Sequence, residues 1–174
     1  MSFSLFDATV PGFIRALSAI AAVMGKARKH YEDNGLDIET IPGERLCGDM
    51  LPFAFQINSI VHHSLEAIEG AQAGTFGIPG TLERQDFAGL EAHVLSALEK
   101  LKTVSPDDVN SLLGKDVTFV MGETRIPFTA EGFLMSFSVP NLHFHATTAY
   151  DILRMKGVKI GKRDYLGALD VKMS

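Results

Sequence analysis

The sequence predicts an all-α fold, an antiparallel four-helix bundle with a small β-hairpin before the last helix. Apolar residues recur every three or four positions in four long segments, as amphipathic helices require. Glycine- and proline-containing stretches separate these segments, and only one short region alternates with the period of a strand. Because 174 residues, 46% of them hydrophobic, suffice for one core, we expect a single domain over residues 1–174.

The first long helix is predicted from Thr9 to about Asp33, where apolar residues keep helical spacing. Pro11 lies in its first turn, where the missing N–H costs nothing, and Gly35 suits the left-handed position after its end. A mixed segment follows, with one helical turn expected at residues 38–41. These features predict a long helix followed by an irregular connection.

The second long helix is predicted from about Met50 to Ala73, with Asp49 as its N-cap. The glycine- and proline-containing piece from Gly74 to Gly80 indicates a surface loop. Apolar spacing then predicts the third long helix over residues 82–104.

A short helix is expected next, over residues 105–113. Alternating residues predict two strands, 117–121 and 125–128, which form the hairpin. The fourth long helix is predicted from Ala130 to Lys156, with a kink or interruption at Pro140.

Composition narrows the choice of partners and compartment. The 21 acidic and 16 basic residues give a formal charge of −5, and the basic residues are mostly scattered, which argues against a nucleic-acid partner. Cys47 is the only cysteine, so an intramolecular disulfide is impossible and a reducing compartment is expected. No signal-peptide pattern or apolar run of about 18 residues stands out, so we predict no membrane partner and a cytoplasmic location.

Polar residues inside the predicted core are the candidates for function. With about 100° per residue, His145 joins the apolar stripe of the fourth helix, whereas His143 falls on its other side. On the second helix, Asp49, Gln56 and His63 fall along one flank of the buried face, and His62 falls outside it. Polar residues on the fourth helix form a similar line. Its members are Asn141, His145 and Thr148.

If the two lines meet, their side chains share one pocket. Two neutral imidazoles and a carboxylate bind a divalent metal such as zinc or nickel and leave a position open for water. The alternative for His145 is a core histidine that is hydrogen-bonded to a neighbour. Cys47, expected near a helix N-terminus, is either a nucleophile or inert. In the C-terminal segment, Lys162 or Arg163 is either a clamp for an anionic ligand or part of an ordered tail.

Four blocks carry a resemblance that covers nearly the whole chain. They are Phe3–Pro11, Asp49–Gln56, Pro140–Arg154 and Gly157–Gly167. Together they resemble a bacterial domain-of-unknown-function family within the DinB/YfiT-like superfamily. The resemblance implies a DinB-like bundle of up-down-down-up order, often dimeric, whose better-studied relatives bind a divalent metal through three histidines. Some of those relatives are thiol-dependent transferases.

The superfamily's metal pattern has one histidine on the second helix and a His-x-x-x-His pair on the last. His62 or His63 matches the first, and His145 matches one member of the pair, but Ala149 stands four residues after it. We therefore hold two hypotheses. One is a small-molecule pocket between helices two and four with a metal-assisted activity of the hydrolase or thiol-dependent transferase type. The other is a non-catalytic ligand-binding or interaction protein that has lost the metal. A small-molecule ligand and a homodimer are expected in both.

Overall fold

The computed structural model describes residues 3–172, which are mostly helical with one small sheet. The α-helices are α1 Leu5–Asp33, α2 Phe53–Val61, α3 Ala67–Ala73, α4 Phe87–Lys102, α5 Pro106–Asn110, α6 Ala130–Gly132, α7 Val139–Met155 and α8 Lys162–Leu166. A 3₁₀ turn at Ile38–Thr40 follows α1.

Two π-helical segments connect pairs of these helices without a break. His62–Glu66 joins α2 to α3, and Phe133–Ser138 joins α6 to α7. The second long helix therefore covers residues 53–73 and the fourth covers residues 130–155. In the interior, α1 packs on α4 and α2 packs on α7, while α2 also contacts α4. The predicted mostly helical class is confirmed.

The first long helix starts at Leu5, four residues earlier than the apolar spacing predicted. The Ser4 hydroxyl accepts a hydrogen bond from the Asp7 amide, and the Asp7 carboxylate accepts one from the Ser4 amide. This capping box satisfies two groups that a helix start leaves unpaired. It explains the early start.

α1 is the one described helix whose length and hydropathy would let it cross a membrane. Its apolar side nevertheless packs in the core of the protein, where Val10, Phe13 and Leu17 are almost completely buried. A long core helix passes the same length and composition test. We therefore describe α1 as a core helix, and the cytoplasmic location stays a prediction.

The second long helix begins at Phe53, and the prediction of Asp49 as its N-cap is wrong. Pro52 is at the cap position and makes no side-chain hydrogen bond. The amides of Phe53 and Ala54 instead donate to the backbone carbonyls of Glu44 and Pro42. Because the preceding loop satisfies these amides, no side-chain cap is needed. Cys47, exposed in that loop, is likewise not at a helix N-terminus.

The sheet contains the predicted hairpin and one strand that the sequence did not predict. β2 (Asp116–Met121) and β3 (Thr124–Thr129) pair antiparallel, which confirms the hairpin. β1 (Thr75–Phe76) lies in the segment predicted to be a loop and pairs in parallel with β2. A strand of two residues is too short to show any period in the sequence. Its Phe76 packs so closely on Gly70 that a Cβ there would lie 2.7 Å from the ring.

The C-terminal segment folds back on the helices, as the ordered-tail interpretation requires. Val158 and Ile160 are buried, and α8 packs on α1. Asp164 of α8 forms an ion pair with Lys26 at 2.6 Å. Lys162 and Arg163 are exposed. The segment is therefore ordered against the helices, and an anion clamp at Lys162 or Arg163 stays a prediction.

Candidate functional site

Both histidines of the second long helix are buried. Regular helical geometry separates adjacent side chains by about 100°, which is why the sequence placed His63 inside and His62 outside. His62 is nevertheless only 5% exposed and His63 only 7%. The π-helical segment changes the angle between them locally, and β1 covers this side, where the Phe76 ring stacks on His62 at a centroid distance of 4.1 Å. The prediction that His62 lies outside is wrong.

Hydrogen bonds occupy both ring nitrogens of His62. Nδ1 lies 2.6 Å from a carboxylate oxygen of Glu66, and Nε2 lies 2.9 Å from the carbonyl oxygen of Gly77. Because an ionised carboxylate and a carbonyl can only accept, His62 donates through both nitrogens. This hydrogen bond is the main reason why the pKa of Glu66 is lowered. His62 thus ties the helix to the segment after β1 and has no free lone pair for a metal.

A chain of hydrogen bonds fixes the ring of His145. The side-chain amide nitrogen of Gln56 donates to the carbonyl of Leu51 at 2.8 Å, so the Gln56 side-chain oxygen is the atom that faces His145. That oxygen accepts from His145 Nδ1 at 2.8 Å. The ring is therefore the tautomer with hydrogen on Nδ1, and Nε2 carries a lone pair. Burial, together with the charge on His62, lowers the pKa of His145 to about 4, so the ring is neutral at pH 7.

His63 faces His145 and has an unsatisfied ring nitrogen. The two ring centroids are 5.8 Å apart and the planes differ by 10°. Within the described part of the chain, Nδ1 of His63 is buried and has no hydrogen-bond partner. Burial lowers its pKa to about 3, with smaller contributions from His62 and His145. With Phe76 and Phe137 packed against His63, the site is a pair of neutral imidazoles in aromatic surroundings.

The other residues selected from the sequence are placed differently. Asn141 is half-buried and donates to the Phe137 carbonyl, while the buried Thr148 donates to the Phe144 carbonyl, so both bind their own helix. Asp49 is exposed in the turn before α2, and so its carboxylate is not part of the buried imidazole pair. The structure thus brings together Gln56, His63 and His145 of the predicted set.

The fit of a metal to these residues can be judged from the donor atoms. Neutral His63 and His145 are suitable nitrogen ligands, and the orphaned Nδ1 of His63 favours a ligand there. A catalytic zinc site has three protein ligands as a rule. Across residues 3–172, no group of three His, Cys, Asp or Glu side chains is arranged to hold an ion. The pair therefore fits as two ligands of an incomplete set, and metal binding stays a prediction.

A hollow of about 250 Å³ lies between the start of the second long helix and the segment of residues 79–85, and its lining includes neither His63 nor His145. Phe55 lines this hollow and packs edge-on against His145 at 5.9 Å. Asn58, another lining residue, donates to the carbonyl of Gly80. The sequence did not single out these residues, because the contribution of the 79–85 segment depends on tertiary contacts. Phe55 is therefore the contact between this hollow and the ring of His145.

Comparisons with known proteins agree on the type of fold. The sequence model of a family described as "Domain of unknown function (DUF1993)" matches residues 5–166. The crystal structure of a DinB family member protein from Shewanella denitrificans is similar, with a TM-score of 0.81 and 27% sequence identity over 98% of this chain and 96% of that one. No curated protein matches the chain.

Proposed function

The chain belongs to the domain-of-unknown-function family DUF1993, and from that premise we propose that it is a DinB-like antiparallel four-helix bundle that binds a small molecule between its second and fourth long helices. His63 and His145 are the residues that contact the ligand. The observation that carries the proposal is a stacked pair of neutral imidazoles in which, within the described residues, Nδ1 of His63 has no partner and Nε2 of His145 carries a lone pair.

The orphaned nitrogen of His63 favours ligand binding energetically. A buried polar atom without a partner costs about 1–3 kcal/mol, so a ligand that satisfies it recovers part of that free energy on binding. Nε2 of His145 is a second acceptor, because Gln56 holds the hydrogen on the opposite nitrogen. A ligand with N–H or O–H donors, or a cation, therefore matches this pair. The adjacent hollow lined by Phe55 suits an apolar portion of the same ligand.

A divalent metal such as zinc or nickel is the cofactor that we propose for this pair. His63 and His145 would hold it, and both are neutral at pH 7, so neither has to lose a proton to bind. The bound cation would supply a Lewis acid for a reaction of the hydrolase or thiol-dependent transferase type. Gln56 acts as the positioning residue, because its hydrogen bond fixes the ring of His145.

A non-catalytic ligand-binding or interaction protein is the second candidate. The observation that favours it concerns His62, whose two ring nitrogens already donate to Glu66 and Gly77 and so cannot complete a metal set. In this case His63 and His145 would bind the small molecule directly. For both candidates we propose a cytoplasmic location and a homodimer. Light scattering on the purified protein tests the homodimer.

Metal content separates the two candidates. We expect stoichiometric zinc or nickel in the purified protein, or after loading and desalting, by elemental analysis. His145→Ala should lose the metal, whereas His143→Ala, a change on the opposite side of the same helix, should retain it. Metal that is retained by both variants would contradict the assignment of this site.

Thermal shift measurements test ligand binding without assuming a metal. Zinc, nickel, glutathione and cysteine are the probes, with His145→Ala and the control His30→Ala, a change outside the proposed site, measured in parallel. A shift from a thiol alone that depends on His145 supports the non-catalytic candidate. If none of the four probes gives a shift that depends on His145, the proposed binding site is wrong.

A further inference from the structure

A second cleft, of about 80 Å³, lies between α1, α7 and α8, on the side of α7 that faces away from His145. Its apolar wall includes Ile20, Ala146 and Leu166. Its polar groups come from Arg15, His143 and Tyr165. The cleft is formed only because the C-terminal segment folds back on the helices, and the function proposed above makes no use of it.

Tyr165 fixes the orientation of the His143 ring. Its hydroxyl lies 3.2 Å from the Thr147 hydroxyl, which donates to it, and 3.1 Å from His143 Nδ1. Because the Tyr165 oxygen accepts from Thr147, its own hydrogen is free to point at His143 Nδ1. The ring then carries its hydrogen on Nε2. His143 therefore presents an N–H donor.

Arg15 supplies a positive charge at the same cleft. Among the ion pairs within 4 Å in the described region, Lys26, Arg28 and Arg84 each have a carboxylate partner, whereas Arg15 has none. The carboxylate of α8, Asp164, is engaged by Lys26, and Asp170, which lines a neighbouring hollow together with Arg15, forms no ion pair with it within 4 Å. The charge of Arg15 is thus left for a ligand.

We propose that this cleft binds a small carboxylate with a short apolar tail. Its oxygens accept hydrogen bonds from the guanidinium of Arg15 and from His143, and its tail packs against the apolar wall. A guanidinium matches the planar carboxylate with two parallel donors. The apolar wall favours a short-chain acid over phosphate, which has no apolar part.

Titration with propionate, followed by NMR of the His143 ring, tests this proposal. We expect a saturable change in the ring resonances of the wild type. Arg15→Gln should weaken binding by about tenfold or more, because the charge-assisted hydrogen bonds are lost. Arg45→Gln is the matched control, since Arg45 is exposed elsewhere, and it should leave binding unchanged.

Tyr165→Phe adds a second arm that keeps the aromatic ring in place. Without the hydroxyl, the His143 hydrogen is no longer held on Nε2, so propionate should bind more weakly while the folded-state NMR spectrum persists. Equal affinities for wild type, Arg15→Gln and Tyr165→Phe would overturn the proposal. Saturable binding of inorganic phosphate without binding of propionate would overturn the assignment to a carboxylate with a tail.

Discussion

His62 and His63 are adjacent in the chain and equally well buried, yet their ring nitrogens are in opposite states. His62 donates through both nitrogens, to Glu66 and to Gly77, whereas Nδ1 of His63 has no partner within residues 3–172. A fully hydrogen-bonded buried histidine stabilises the fold, and one with a free nitrogen is available to a ligand. The hydrogen-bond partners of a buried histidine, and not its burial, therefore separate the two roles.

Replacing each of these histidines with leucine should give the largest contrast. His62→Leu leaves the Gly77 carbonyl and Glu66 without their donor, so we expect the free energy of unfolding to fall by about 2–3 kcal/mol. His63→Leu removes an orphaned polar atom from aromatic surroundings and should cost much less at pH 8. Urea denaturation at pH 8 measures both values. Equal losses would mean that the hydrogen bonds of His62 contribute nothing specific.

His63 should also make the stability of the protein depend on pH. The pKa of His63 is about 3 in the folded protein, against 6.5 for an ordinary histidine, so between these values the unfolded chain binds the proton and the folded protein does not. Stability therefore falls as the pH drops below 6.5, by up to about 1.4 kcal/mol per pH unit for one such group. His63→Leu should show a shallower decline in urea denaturation between pH 6.5 and 4. Parallel curves for wild type and variant would contradict this assignment.

Glu66→Gln should lower the free energy of unfolding by less than His62→Leu does. The pKa of Glu66 is lowered in the folded protein, so the ionised carboxylate stabilises the fold. This stabilisation is present above the unfolded pKa of 4.5 and is lost as the pH falls through the folded pKa. Since this carboxylate is 38% exposed, solvent screens the ion pair, and we expect a loss of about 0.5 kcal/mol at pH 7. The difference from wild type should disappear in acid. A difference that grows in acid would contradict this account.

Helical periodicity was sufficient to place Gln56 and His145 on two polar lines that would share a pocket if they met. Each residue lies on the inner flank of its own long helix, and packing of α2 on α7 is what brings the two together. The same spacing placed His63 beside them. The hairpin was predictable too, because its alternation is confined to six-residue strands around a two-residue turn.

The remaining features depend on contacts that have no local signature. The π-helical segment at His62–Glu66 has no distinctive residue spacing, and the cover over His62 comes from Phe76 in a strand of two residues. Backbone carbonyls of a preceding loop replaced the side-chain cap expected from Asp49. In each case contacts between distant parts of the chain, and not the local sequence, determine the structure.

Gln56→Glu should act on the pKa of His145 and would make this ring resemble His62. The new carboxylate would face Nδ1 of His145, as Glu66 faces Nδ1 of His62, and should raise the pKa of His145 from about 4 by about 1–2 units. Gln56→Met is the matched control, because it removes the acceptor without adding a charge. NMR titration of the His145 ring measures the shift. If the glutamate and methionine variants titrate alike, Gln56 is not the group that holds this ring, and the distinction between saturated and free histidines would rest on His62 and His63 alone.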